Sequence, residues 1–250
     1  NMKAMLADNP VFNQPLNNWN VSNVTNLEWM FSNSTAFNQS LNSWNTSKVT
    51  QLSGVFNGAT SFNQPLNNWD TSKVLFTSSA FQDATAFNQS LGSWNIEQVY
   101  QMHNMLSSSG ISYTNYDATL NGWAQQTPRT NVPFSAGNIK YCQAENARNH
   151  LINDFSWGIY DGGKYCGEPP VVSTGVADNI TEDQATLHGT ISDSETDLSA
   201  TGFQWGKTTS YGNDTGNLGT NLGDIEAEIE PDECGITYHY RAYATNLGGT

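Results

Sequence analysis

The residues that could do chemistry are thinly spread in this chain. Asp8, Glu28, Asp70, Asp83 and Glu97 are the carboxylates of the first 110 residues. Two carboxylates at the right separation would suit glycoside hydrolysis, one as acid and the other as base or nucleophile. Asp70 and Glu97 come nearest to such a pair, but the pairing does not recur. His103, His150, His188 and His239 are scattered, and no Cys/His cluster has zinc-ligand spacing. Phosphate-cradling Gly loops, zinc motifs and G-x-S-x-G elbows are absent. We therefore assign no catalytic, cofactor or metal residue and read the chain as a non-enzyme. Residues 171–250 hold 13 acidic and 2 basic residues. Ca²⁺ is the cation such a face could take in an extracellular module. Without D-x-D-x-D-G spacing, the face reads instead as solvated.

A row of tryptophans offers different chemistry, stacking against sugar rings. Trp19, Trp44, Trp69 and Trp94 are 25 residues apart. Phe12, Phe37, Phe62 and Phe87 keep the same spacing, as do Leu16, Leu41, Leu66 and Leu91, and Val24, Val49, Val74 and Val99. Trp beside Leu and Phe at a fixed position reads as core, its indole N–H meeting a loop carbonyl. Asn13, Asn38, Asn63 and Asn88 read as a hydrogen-bonded ladder for turn backbone groups.

A fixed period of this length marks stacked units that bury their apolar faces against one another. One unit is FNQSLNSWNTSKVTQLSGVFNGATS. Its first half reads as an extended segment around Leu41 to Trp44. Its second half, Val49 to Phe56, has spacing suited to one or two helical turns. One strand and one short helical arc per coil is the leucine-rich-repeat plan. In the third unit VLFTSSAF replaces VTQLSGVF, so Thr77 falls where Leu is expected. A local register shift that buries Phe76 would compensate.

The period ends near residue 110. ISYTNYDATLNGWAQQTP predicts a helix with Tyr116, Leu120 and Trp123 on one face. CQAENARNHLIND predicts a second, with Ala144, Ala147, Leu151 and Ile152 inward. Gly167-Glu168-Pro169-Pro170 reads as a stiff linker. Beyond it, ATLHGTIS, ATGFQWGKT, IEAEIEP and YHYRAYATN alternate like strands of a β-sandwich. The expected fold is thus a repeat solenoid, leucine-rich-repeat-like, of about 25 residues per coil. An α-containing C-terminal cap and an all-β immunoglobulin-like sandwich follow. The domains are 1–110, 111–168 and 169–250. Met2, Met5 and Leu6 already fit the repeat, so the chain reads as part of a longer multidomain protein.

The pattern F-N-Q-x-L-x-x-W-[ND]-x-S-x-V-x-x-[LM] resembles the BspA-like bacterial surface-protein repeats, relatives of the leucine-rich repeats. ITYHYRAYATNLGGT resembles the fibronectin type III domain, with Tyr238 at its tyrosine corner. The cap resembles those found behind such repeats in Bacteroidetes surface proteins. These resemblances imply a cell-surface or secreted protein serving adhesion. With them, a Cys142–Cys166 disulfide is expected to clamp the cap. Cys234 is left over: either buried or paired elsewhere.

A formal net charge of -14 argues against nucleic acid and anionic membranes as partners. No apolar run is long enough to span a bilayer. What remains is surface, and recognition is expected where columns fail to repeat. Thr25, Thr50, Leu75 and Tyr100 form one such column; Asn26, Gln51, Phe76 and Gln101 the next; Glu28, Ser53, Ser78 and His103 a third. Trp29, Leu75, Phe76, Tyr100 and His103 are the candidates there. Asn17, Asn42 and Asn67 offer a second strip on the extended segment. The expected partner is an extracellular protein or a polysaccharide, with the sandwich as spacer. The alternatives are a building block of a surface filament or layer, and an accessory region of a secreted polysaccharide-degrading enzyme.

Overall fold

The computed structural model describes residues 1–194 and 197–250. They form two compact units, Asn1–Lys164 and Tyr165–Thr250.

In the first unit, residues 1–110 contain neither a named strand nor a helix. Each 25-residue stretch is a run of turns joined to its neighbours by backbone hydrogen bonds. Along residues 27–34 the donors alternate. Leu27, Trp29, Phe31 and Asn33 donate to Gln51, Ser53, Val55 and Asn57 of the following stretch, at 2.7–3.0 Å. Met30, Ser32 and Ser34 donate back to Leu27, Trp29 and Phe31 within their own stretch. With Glu28 N–H donating to Asn26 Oδ1, each backbone N–H along residues 27–34 has an acceptor without helix or sheet. The alternation needs left-handed residues at fixed places. Ala4, Trp29, Gly54, Ser79 and Asn104 all have positive φ, and so do Asp8, Asn33, Gly58, Asp83 and Ser108.

This arrangement corrects the expected leucine-rich-repeat-like solenoid. Neither its strand nor its helical arc forms, and isolated parallel bridges (Asn26–Gln51–Phe76–Gln101) stand in place of a strand ladder. Among the described residues the elements are mostly strands in small sheets, with two helices. The expected helical cap is corrected as well. Helices α1 (Tyr113–Trp123) and α2 (Glu145–Phe155) share the segment with a parallel sheet of β1 (Pro133–Ser135) and β2 (Gly158–Tyr160).

The apolar columns form the core. Phe31, Phe56 and Phe81 stack at 5.4 and 5.5 Å, and Trp44, Trp69 and Trp94 at 6.4 and 6.2 Å. The indole N–H of Trp44, Trp69 and Trp94 donates to the carbonyl of Leu16, Leu41 and Leu66. Offset aromatic stacks combine large apolar burial with defined geometry. α1 continues the same order, since Trp123 donates to Leu91 O at 2.9 Å. Ser112 caps α1, accepting from Asn115 N, while its own N–H donates to Asn88 Oδ1.

α2 has no side-chain cap of its own. Asp117, buried on α1, holds the residues before it: its carboxylate accepts from the N–H groups of Cys142, Gln143 and Ala144 at 2.8–3.2 Å. These groups lead into α2, and a carboxylate there also meets the positive end of the helix dipole. Asp161 is the second buried anion. Arg148 grips it at 2.8 and 3.1 Å, and Tyr116 donates its hydroxyl to it at 3.0 Å. Burial beside that carboxylate pushes the Tyr116 hydroxyl well above its ordinary range. Cys142 and Cys166 form a disulfide.

The second unit has two small antiparallel sheets. One orders β3 (Val171–Thr174), β4 (Ala185–Asp193) and β7 (Gly223–Ile229) as β3-β4-β7. The other orders β6 (Asn213–Asp214), β5 (Ala200–Gly206) and β8 (His239–Thr245) as β6-β5-β8. Leu187, Phe203, Ile229 and Ala242 form the core of this sandwich-like unit. Along β7, exposed Asp224, Glu226 and Glu228 alternate with half-buried Ile225 and Ala227, the period of a strand with one wet face. Cys234 is exposed and carries a free thiol. The Tyr238 hydroxyl accepts from Glu233 N and donates to Asp232 Oδ1.

Opening the disulfide should cost about 3 kcal/mol in the chain-entropy model, as its loop is some two dozen residues long. Urea unfolding of Cys142→Ser/Cys166→Ser beside the parent tests this; equal stabilities would refute it. His188 in β4 is held above its ordinary range by its hydrogen bond to Asp178, with Glu226 adding to the effect. Its contribution to stability is therefore full below the unfolded pKa and fades as pH rises through the folded one. An NMR titration should find the imidazole shifted upward, and Asp178→Asn should bring it back down.

Candidate interaction surface

The varied columns stand on backbone that repeats without interruption. Thr50, Leu75 and Tyr100 each donate their N–H to the carbonyl 25 residues earlier, at 2.8–2.9 Å. Phe76 bridges Gln51 and Gln101 in that same spacing. The expected register shift does not occur. Thr77 occupies the position of Leu27, Leu52 and Met102, only 1% exposed, and its hydroxyl faces Gln101 O at 3.4 Å. The backbone bonds to both neighbours hold Thr77 inward, because a one-residue slip would break the alternation of donors on either side. Phe76 is left half-buried.

At the surface, Phe76 meets a stacked group. Its ring lies 6.1 Å from that of Tyr100, with planes 25° apart. The Arg129 guanidinium sits 4.1 Å from the centroid of Tyr100. Gln98 anchors that guanidinium, accepting from Nε through its carbonyl at 3.2 Å and from a terminal nitrogen through Oε1 at 2.8 Å. Tyr100 is 48% exposed. Cation–π contact of this kind is worth about 0.5–1 kcal/mol at an exposed site. Exposed Lys48 and Lys73 precede Gln98 in its column, with Lys48 donating to Asn23 Oδ1.

The other candidates lie apart from this group. The ring of Trp29 lies over Gly54, where a Cβ would collide with it. Trp29 itself has φ 56, a strained backbone for a bulky residue. Its indole donates to Glu28 Oε1, and Glu28 pairs with Lys3 at 2.8 Å. His103 is exposed. On the second strip, Asn42 donates to Asn67 Oδ1 and accepts from Asn68 N, so its amide is used internally. Asn17 and Asn67 are exposed. The strip ends at Gly92, against which α1 packs: a Cβ there would strike Ala118 O, and one on Gly122 would strike Gly92.

The carboxylates are engaged in turns. Asp70 accepts from the hydroxyl and N–H of Ser72, and with Lys73 nearby its carboxyl is held below the ordinary range. Glu97 accepts from Thr127. No hydrogen bond or ion pair joins the two. Among the described residues no group of three or more His, Cys, Asp or Glu is assembled to hold a metal ion. The Asn column does form a ladder: Oδ1 of Asn13, Asn38 and Asn63 accepts from the N–H of the Asn 25 residues on, each at 2.9 Å. Sequence reasoning missed Arg129 and Asp117. Both lie beyond the 25-residue period, and nothing in their neighbourhood marks them.

Residues 1–123 match the model of the family described as "Mycoplasma protein of unknown function, DUF285", a BspA-related family. No curated protein matches the chain, and no solved structure does. These findings correct the recognition drawn from the motif. The repeats are similar to that family, and a leucine-rich-repeat identity has no support in the match or in the fold. The fibronectin type III likeness likewise rests on no match.

Register makes a sharp prediction. Phe81→Ala, deep in the phenylalanine stack, should cost about 4 kcal/mol, while Phe76→Ala should cost about 1. Equal losses in chemical denaturation would mean that Phe76 is core after all.

Proposed function

We propose that the chain is an extracellular binding module: the repeat unit captures an extracellular protein or glycan, as in an adhesin, and the acidic sandwich-like unit serves as a spacer. The observation that carries this is the stacked Phe76–Tyr100–Arg129 group. It puts aromatic surface at positions filled by Asn26 and Gln51 in one column and by Thr25, Thr50 and Leu75 in the other. Aromatic side chains and Arg are the types that dominate binding hot spots. The disulfide supports an oxidising location. Among the described residues no helix is long and apolar enough to cross a membrane, which is compatible with that reading.

Core and ladder positions are fixed by stacking, so specificity falls to the columns free to vary. The acidic second unit suits a solvated spacer, since a high net charge discourages self-association.

The intact protein should retain a ligand on arrays of extracellular-matrix proteins and glycans. Phe76→Ser and Tyr100→Ala should each weaken retention about tenfold or more, the cost of a lost hot-spot side chain, with melting temperatures little changed. No retained ligand on either array would refute the module reading.

A further inference from the structure

Tyr100 meets both Phe76 and Arg129 through its ring. Phe76 belongs to the preceding repeat, since Thr77 N donates to Gln101 O. Arg129 belongs to the layer that follows, where Met102 N donates to Pro133 O. Both therefore contact the ring from neighbouring layers, at 6.1 Å and 4.1 Å. A pyranose stacking on Tyr100 would compete with these two contacts for the ring. What it offers is its edge and its hydroxyl. Over that ring lies a guanidinium with five N–H donors, two nitrogens of which are engaged by Gln98. Gln98 fixes the guanidinium in place, so a ligand meets it already ordered.

Charge points the same way. Residues 1–170 carry 7 basic and 10 acidic residues, against 2 and 13 in the remainder. Of those seven cations, Lys48 and Lys73 stand in the column that Gln98 continues and Arg129 covers. Thr50, Leu75 and Tyr100 lie two residues on in each repeat. The surface thus pairs a line of cations with a line that turns apolar at Leu75 and Tyr100.

Building on the binding-module reading, we propose that this surface docks an acidic, extended segment of a protein, with a carboxylate on Arg129 and the Tyr100 hydroxyl and an apolar side chain against Leu75 and Phe76. Charge-assisted bonds from a fixed guanidinium to a carboxylate are short, directional and partly bidentate.

The test uses the full chain and three probes: a labelled peptide of alternating glutamate and leucine, sodium polygalacturonate, and neutral dextran. We expect the peptide to bind, more weakly at high salt. Arg129→Gln and Tyr100→Ala should each reduce that binding about tenfold, while Lys207→Gln in the second unit leaves it unchanged. Arg129→Lys, which keeps charge but not the planar fork, should recover only part of it. Melting curves of each variant exclude unfolding as the cause. Absent peptide binding, or binding indifferent to both variants, overturns the proposal. Polygalacturonate binding without peptide binding assigns the carboxylate to a polysaccharide and overturns it too. Dextran binding lost in Tyr100→Ala would show an open ring face and overturn the geometry. An array ligand that binds the parent and both variants equally sinks this proposal while leaving the module reading intact. A parent that retains no array ligand sinks the module reading itself.

Discussion

Every second backbone N–H in the turn segment of a repeat donates to the next repeat, and the rest of the first unit depends on that bond. It fixes the offset between neighbours at one value along 100 residues of chain. Once the offset is fixed, like side chains must lie over like. Phenylalanine then stacks on phenylalanine and tryptophan on tryptophan, and an asparagine amide meets the same backbone N–H in each layer. The apolar stacks supply burial and the ladders remove the cost of unpaired polar groups. Neither could form if the backbone bonds allowed slippage. Thr77 shows their strength: the polar residue is held in an apolar position and Phe76 is left half outside.

The same constraint explains how the repeats end. An exposed terminal layer would present unpaired carbonyls and apolar rings, so the following segment must answer each group in turn. Ser112 takes the last asparagine bond, Trp123 the next indole position and β1 the backbone partners of Met102 and Leu106. A helix supplies Trp123 where a turn supplied its predecessors, which requires close approach at Gly92 and Gly122. The polar cost of changing architecture is met by two buried carboxylates. Asp117 on α1 holds the segment leading into α2, and Asp161 gathers Arg148 and Tyr116.

Periodicity made the columns legible, and with them the core residues, the asparagine ladder and the two helices beyond. It did not reveal the local backbone. Apolar spacing from Val49 to Phe56 suits a helical turn, but hydrophobic spacing reports only which side chains point inward. The alternation of right- and left-handed residues achieves the same inward pattern with its hydrogen bonds directed between repeats. The clue was Gly54 and Gly58, which in neighbouring repeats are Trp29, Ser79, Asn33 and Asp83, so composition alone hid the shared positive φ. Strand alternation marked β4, β5, β7 and β8, because one wet face imposes period two. Leu75, Phe76 and Tyr100 were visible as departures from the repeat. Arg129 was not, since its approach to Tyr100 depends on how α1 returns the chain.

Two strips were open to recognition, and their physical states differ. On the Asn17, Asn42 and Asn67 strip, amides bond to one another and to backbone, and α1 packs on the fourth position. A ligand there would have to replace bonds already made, with little net gain. Around Tyr100 the balance is reversed. The ring is contacted by Phe76 and Arg129, Gln98 holds the guanidinium, and Tyr100 stays half exposed. Rigid amphipathic side chains lose little conformational entropy when a partner arrives. Contacts on the ring therefore compete with one class of ligand and prepare the site for another. They disfavour what needs a flat platform and favour what can reach an edge and pair with a fixed charge.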